Sequence, residues 1–147
     1  MNYQEGKDQV GKEIPANVWD KWGIAAFRGY QAVPHDLFRY QAKLGLSNNE
    51  LVTLLNILDF WWEAKNNPFP AVDQLAKRMS ADRRTVHRYL KSLQDKGYVV
   101  RDKGADTDEK RRFRLDGLVK RLQQLVEAEW KLSVTADDRV SASSLKG

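Results

Sequence analysis

The sequence predicts a mainly α fold with a small β-hairpin, and three observations predict it. Apolar residues recur at helical spacing in three consecutive segments between residues 50 and 96. Capping chemistry marks where those segments begin and end. Past Gly97 the pattern changes to alternation, with Phe113 and Leu115 interleaved with Arg112 and Arg114.

The chain of 147 residues is long enough for one domain with its own core. Its 41% hydrophobic and 31% charged residues suit a soluble globular protein. No apolar run reaches the roughly 18 residues of a membrane span, and the opening MNYQEGKDQVGKE has no signal-peptide pattern. With no cysteine there is no disulfide framework, thiol nucleophile or thiolate metal site. A cytoplasmic protein is expected.

Residues 1–13 are polar and read as a mobile arm. Residues 14–46 read as an N-terminal extension packed on the core. Within it Trp19, Trp22, Phe27 and Tyr30 stand among Pro15, Gly23 and Gly29 without a clear period, which predicts an irregular or short-strand segment. Such aromatics serve either as core anchors or as stacking platforms for bases, and the first is the commoner use. Pro34 then opens a short helix through Lys43, with Gly45 as its stop.

Ser47 and Glu50 form the S-x-x-E of a capping box. The helix behind it is expected to run to about Ala64. Leu51, Leu54, Leu55, Leu58 and Trp62 make one stripe, widened by Val52, Ile57, Phe60 and Trp61 until the helix is apolar nearly all round. Pro68 ends the segment. A second helix starts near Val72, with Val72, Leu75, Ala76 and Met79 inward. Asp82 is the expected N-cap of a third helix over 83–96. Two helices joined by a three-residue turn have helix-turn-helix spacing, although the glycine often seen in that turn is missing.

The helix 83–96 carries most of the functional signal. At about 100° per residue, Val86, Tyr89, Leu90 and Leu93 cluster on one side. Arg84, Arg88 and Lys91 lie opposite, His87 beside them, and Arg83 and Thr85 flank the N-terminal end. A core stripe opposed by a cationic stripe is what a major-groove reader needs. A solvated face usually mixes charge signs, and here the outer stripe has no acid within it. Gly97 closes the helix, and a hairpin over 98–115 follows. Lys103, Lys110, Arg111 and Arg112 flank its tip, placed for phosphates or a minor groove. Asp106, Asp108 and Glu109 at the apex argue that the flanks make contact and the apex does not. Helix-turn-helix followed by a hairpin is the winged helix-turn-helix order, assigned to residues 47–115.

Charge is distributed to match. Residues 80–114 hold 11 Lys and Arg against 6 Asp and Glu, a balance of +5 that equals the +5 of the whole chain. The remaining residues are neutral, so the net charge is an electrostatic footprint for a polyanion.

Asp116 caps a last helix, 117–131, in which Leu118, Leu122, Leu125 and Trp130 provide apolar positions. That seam covers the domain's own core or packs against its twin in a homodimer. Residues 133–147 read as a disordered tail.

The features LSNNE, PFPAVDQLA, RRTVHRYL and LQDKGYVVR resemble the bacterial winged helix-turn-helix family found in plasmid, phage and host regulators and in the N-terminal domains of some replication-initiation proteins. The resemblance covers about residues 44–115. It implies that Arg83, Arg84, Thr85, His87 and Arg88 face the DNA groove. Ala71 departs from it, standing where the family often has a Ser or Thr cap, with Asp73 in the first turn as compensation.

No enzyme is expected. The two histidines, His35 and His87, have no zinc-binding spacing. There is no Gly-rich phosphate loop, and Asp59 and Glu63 read as a solvated edge. No cofactor is implied, and nothing identifies a small-molecule effector. The leading expectation is a homodimeric transcription regulator, a repressor on a palindromic operator of double-stranded DNA. The alternative is a replication or partition accessory of a plasmid or phage that binds origin repeats. The missing second catalytic or motor domain weighs toward the regulator. A winged helix used for protein contacts alone fits the concentrated charge poorly.

Overall fold

The computed structural model describes residues 14–62, 67, 68, 70–101 and 112–145, with side chains described as far as Arg139. It is mainly helical with one two-stranded antiparallel sheet. The chain divides at Val33–Pro34 into two compact units. Residues 34–46, grouped by the sequence reading with the N-terminal extension, therefore belong with the second unit.

In the first unit residues 16–26 of the aromatic-rich segment are helical, where an irregular or short-strand form was expected, and residues 29–33, with Tyr30, are irregular. Helix α1, Ala16–Trp22, begins where the Pro15 carbonyl accepts from the amides of Val18 and Trp19. Gly23, at φ 52°, ends it by donating back to the Trp19 carbonyl, and a 3-10 turn, Gly23–Ala26, follows. The reason the period was hidden is that Trp19 and Ala26 are buried while Trp22, Ile24, Phe27 and Tyr30 are exposed. Periodicity reads out only a helix that buries most of its apolar residues on one face.

The second unit opens with helix α2, His35–Arg39, shorter than the predicted run to Lys43. The chain continues in turns to Gly45, bringing Leu37, Tyr40, Leu44 and Leu46 into the core. Helix α3, Asn48–Leu58, starts on the expected capping box: the Glu50 amide donates to Ser47 Oγ and the Ser47 amide to Glu50 Oε1, both at 3.1 Å. It ends six residues before the predicted Ala64. The amides of Phe60 and Trp61 bond three residues back, to Ile57 and Leu58, which tightens and stops the helix. Trp62 turns outward, 83% exposed, and its indole N–H donates to the Asp59 carbonyl. Leu51, Leu54 and Ile57 are buried while Val52 is exposed, so α3 is central without being enclosed.

Helix α4, Val72–Met79, buries Val72, Leu75 and Ala76. Only half of a capping box holds its start, because the Ala71 methyl accepts nothing while Gln74 Oε1 takes the Ala71 amide at 3.0 Å. In the turn that follows, Ser80 occupies the left-handed region (φ 50°, ψ 43°) that a glycine would enter without strain. The Ala81 amide closes on the Ala76 carbonyl. Helix α5, Arg83–Asp95, starts from Asp82, whose carboxylate accepts from the Thr85 amide at 2.7 Å. Gly97, at φ 77°, ends it, with the Tyr98 amide bonded to the Leu93 carbonyl.

Strands β1, Val100–Arg101, and β2, Phe113–Arg114, pair antiparallel with Val100 opposite Arg114. Both are shorter than the predicted 98–101 and 111–115. The Phe113 amide donates to the Pro68 carbonyl at 2.8 Å, so the segment before α4 takes a backbone bond from β2. Helix α6, Asp116–Leu145, is twice the predicted 117–131 and includes residues 133–145 of the expected disordered tail. Its first turns pack on the core, and from Val126 to Arg139 it is exposed.

Candidate nucleic-acid interface

Helix α5 orients the site because its apolar and cationic residues lie on opposed faces. Val86, Leu90 and Leu93 are buried, whereas Arg83, Arg84, His87, Arg88 and Lys91 are exposed and Thr85 is half-buried. The core stripe packs α5 against α3 and α4, which turns the cationic stripe to solvent. Arg88 leans over the Tyr89 ring, its guanidinium carbon 5.6 Å from the centroid, a cation–π approach that narrows its rotamer choice. At the front of the helix, hydrogen bonds from the Thr85 amide and side chain hold the exposed Asp82 carboxyl below its usual range.

A part-buried ionic link braces α5 from behind. Glu50 Oε2 accepts from Lys96 Nζ at 2.6 Å and from Ser92 Oγ at 2.8 Å, and Lys96 also reaches the Gly45 carbonyl. Burial by itself would raise the Glu50 carboxyl. The bonds from Lys96, Ser92 and Ser47 outweigh it and bring the pKa down to about 2. The sequence reading assigns Glu50 only a capping role, and this link joining residues 46 positions apart has no local signature.

Arg83 Nε lies 3.2 Å from Asp73 Oδ1 on the first turn of α4. Asp73, expected only to complement a helix end, thus stands beside the cationic stripe. Among the hairpin residues, Arg112 is exposed and donates to the Asn67 carbonyl at 3.1 Å, anchoring β2 to the α3–α4 connection. Arg114 is also exposed, one alternation further on, and was missing from the predicted contacts. Lys103, Lys110 and Arg111 lie outside the described residues.

Of the four predicted dimer residues, Leu118 is buried in the chain's own core and Leu122 and Leu125 are half-buried. Trp130 is 65% exposed. No described helix is long and apolar enough to cross a membrane.

Residues 33–133 match the DnaD N-terminal domain family. The chain belongs to that family. Among solved structures, the N-terminal domain of the DnaD protein from Geobacillus kaustophilus HTA426 is similar, with a TM-score of 0.57 and 24% identity. The similarity covers 83% of this chain and 99% of that one, and at that identity it speaks for the fold. No curated protein matches the sequence. The DnaD N-terminal domain match takes in every described residue of the α5 face and ends within α6.

Proposed function

We propose that this chain is a DNA-binding accessory of bacterial replication initiation, a binding module without catalysis, reading double-stranded DNA through α5 of a winged helix-turn-helix. The observation that carries the DNA part is the opposition on α5 of buried Val86, Leu90 and Leu93 to exposed Arg84, Arg88 and Lys91. Membership of the DnaD N-terminal domain family moves the role from transcription to replication. This reverses the order of the sequence reading, in which the repressor led and the replication accessory followed. In this reading α4 and α5 are the helix-turn-helix pair, β1 and β2 begin and end the wing, and Arg114 joins the wing cations.

A homodimer fits the exposed apolar residues of α6, Val126, Trp130, Leu132 and Val134.

Binding of a random-sequence duplex pool at about 150 mM salt, a level that suppresses nonspecific association, tests the reading. Arg84→Ala and Arg88→Ala are each expected to weaken discrimination by about 1–3 kcal/mol, and Lys91→Ala to lower the salt slope by about one. Enrichment of tandem repeats supports the replication accessory, and a single inverted repeat returns the repressor. If neither arginine variant changes duplex binding, α5 is not the reading helix.

A further inference from the structure

We infer that α6 pairs with its twin antiparallel, about a twofold axis beside Glu129, an inference that rests on the homodimer reading of α6. The helix carries two stripes about 100° apart. Leu118, Leu122 and Leu125 belong to the first, which packs on the chain's own core. Glu129 continues that stripe, its carboxylate 3.5 Å from the Arg39 guanidinium on α2. Val119, Val126, Trp130 and Val134 form the second stripe. Val119 is half-buried and the other three are exposed. The first stripe is used within the chain, and the second is open to a partner.

A column of charges beside the second stripe commits it to another copy of this chain and fixes the direction. Lys120, Glu127, Lys131 and Asp138 follow one another at spacings of seven, four and seven, which helical geometry keeps in line. All four are exposed, and none makes an ion pair within the chain among the described residues. In two antiparallel helices related by a twofold axis, each flank of the seam faces its own copy. About an axis beside Glu129, residue 120 stands opposite 138 and residue 127 opposite 131. The signs along the column are plus, minus, plus, minus, so each charge meets its opposite. The same axis brings Val126 of one copy within a turn of Trp130 of the other. A parallel pair sets the column against the side of its twin that the chain's own core covers, where it finds no complement. Val134 and Asp138 lie beyond residue 133, where the family match ends, so the pairing draws on residues outside the shared domain.

Because the chain has no cysteine, introduced thiols report the direction. Gln123 and Ser133, both exposed, lie along the second stripe on either side of the axis. The full chain is made as Gln123→Cys and as Ser133→Cys, and each is oxidised alone and then in an equal mixture with one variant size-tagged. Antiparallel pairing is expected to give the mixed disulfide in the mixture and no disulfide dimer from either variant alone. Like positions are then about 15 Å apart along the helix, beyond the reach of a disulfide. Homodisulfides from each variant alone show a parallel pair, which overturns the inference and leaves the homodimer reading standing. Charge reversal gives the second readout. Lys120→Asp and Asp138→Lys are each expected to weaken self-association about tenfold in sedimentation equilibrium, as like charges replace opposite ones. The two combined should restore it. Single variants that associate like the unaltered chain, or a combined variant that stays weak, overturn the inference. If the unaltered chain remains a monomer, the homodimer reading itself has failed and the inference falls with it.

Discussion

Glu50 divides one carboxylate between two elements, Oε1 taking the Ser47 amide and Oε2 taking Lys96 and Ser92. Its folded pKa of about 2 lies below the ordinary value of 4.5, so the ionised form stabilises the fold. That stability is fully present above pH 4.5 and is lost as pH falls from there toward 2. Denaturant titrations at pH 7 and pH 3 should therefore show a drop, and Glu50→Gln should remove about 2 kcal/mol at pH 7 and flatten the difference. An unchanged pH dependence in Glu50→Gln would mean another carboxylate carries the effect. Ser80 makes the opposite case, a residue that costs stability where it stands. Its left-handed backbone is strained for any side chain by about 1–2 kcal/mol, partly offset by the greater unfolded freedom of glycine. Ser80→Gly should raise the melting temperature by about 1–2 °C, and a fall would show that the hydroxyl has a role the turn needs.

The start of α6 is set against the end of α5. A Cβ on Gly117 would fall on the Gly97 carbonyl oxygen, so the first turn of α6 approaches the α5 stop at backbone distance. Alanine is the better helix former by about 1 kcal/mol, but here the clash is with backbone that itself ends a helix. Gly117→Ala is expected to destabilise by about 2 kcal/mol, read by denaturant midpoint; a stabilised variant would show that α6 can slide without cost. The hairpin is tied in similarly, by the Phe113 amide on Pro68 and Arg112 on Asn67. Those two bonds place β2 against the entry to α4, the same element whose Asp73 meets Arg83.

Across the whole molecule, the +5 net charge falls within residues 80–114, and α6 carries a separate group of exposed apolar residues, Val126, Trp130, Leu132 and Val134. In the proposed function the first faces a polyanion and the second is where a second copy of the chain would pack. Thirty helical residues span about 45 Å, and only the first turns of α6 are used by the core. Because Trp130 is 65% exposed, its truncation removes little from the monomer. Trp130→Ala should weaken self-association about tenfold in sedimentation equilibrium while leaving the fold intact. Unchanged association would place the dimer contact elsewhere.

What the sequence determined by itself is what neighbouring residues decide. The Ser47–Glu50 box, the Asp82 cap, the stop at Gly97 and the two faces of α5 each follow from side chains within one or two turns of one another, and each is present. The candidate cationic face was legible for that reason, its inner stripe and outer stripe being read from one helix. Tertiary structure alone decided the partners of Glu50, Asp73 and Gly117. Those outcomes depend on groups brought together from far along the chain. A carboxylate three residues from a serine is a cap by geometry, but whether it also holds a lysine 46 residues away depends on how two helices pack.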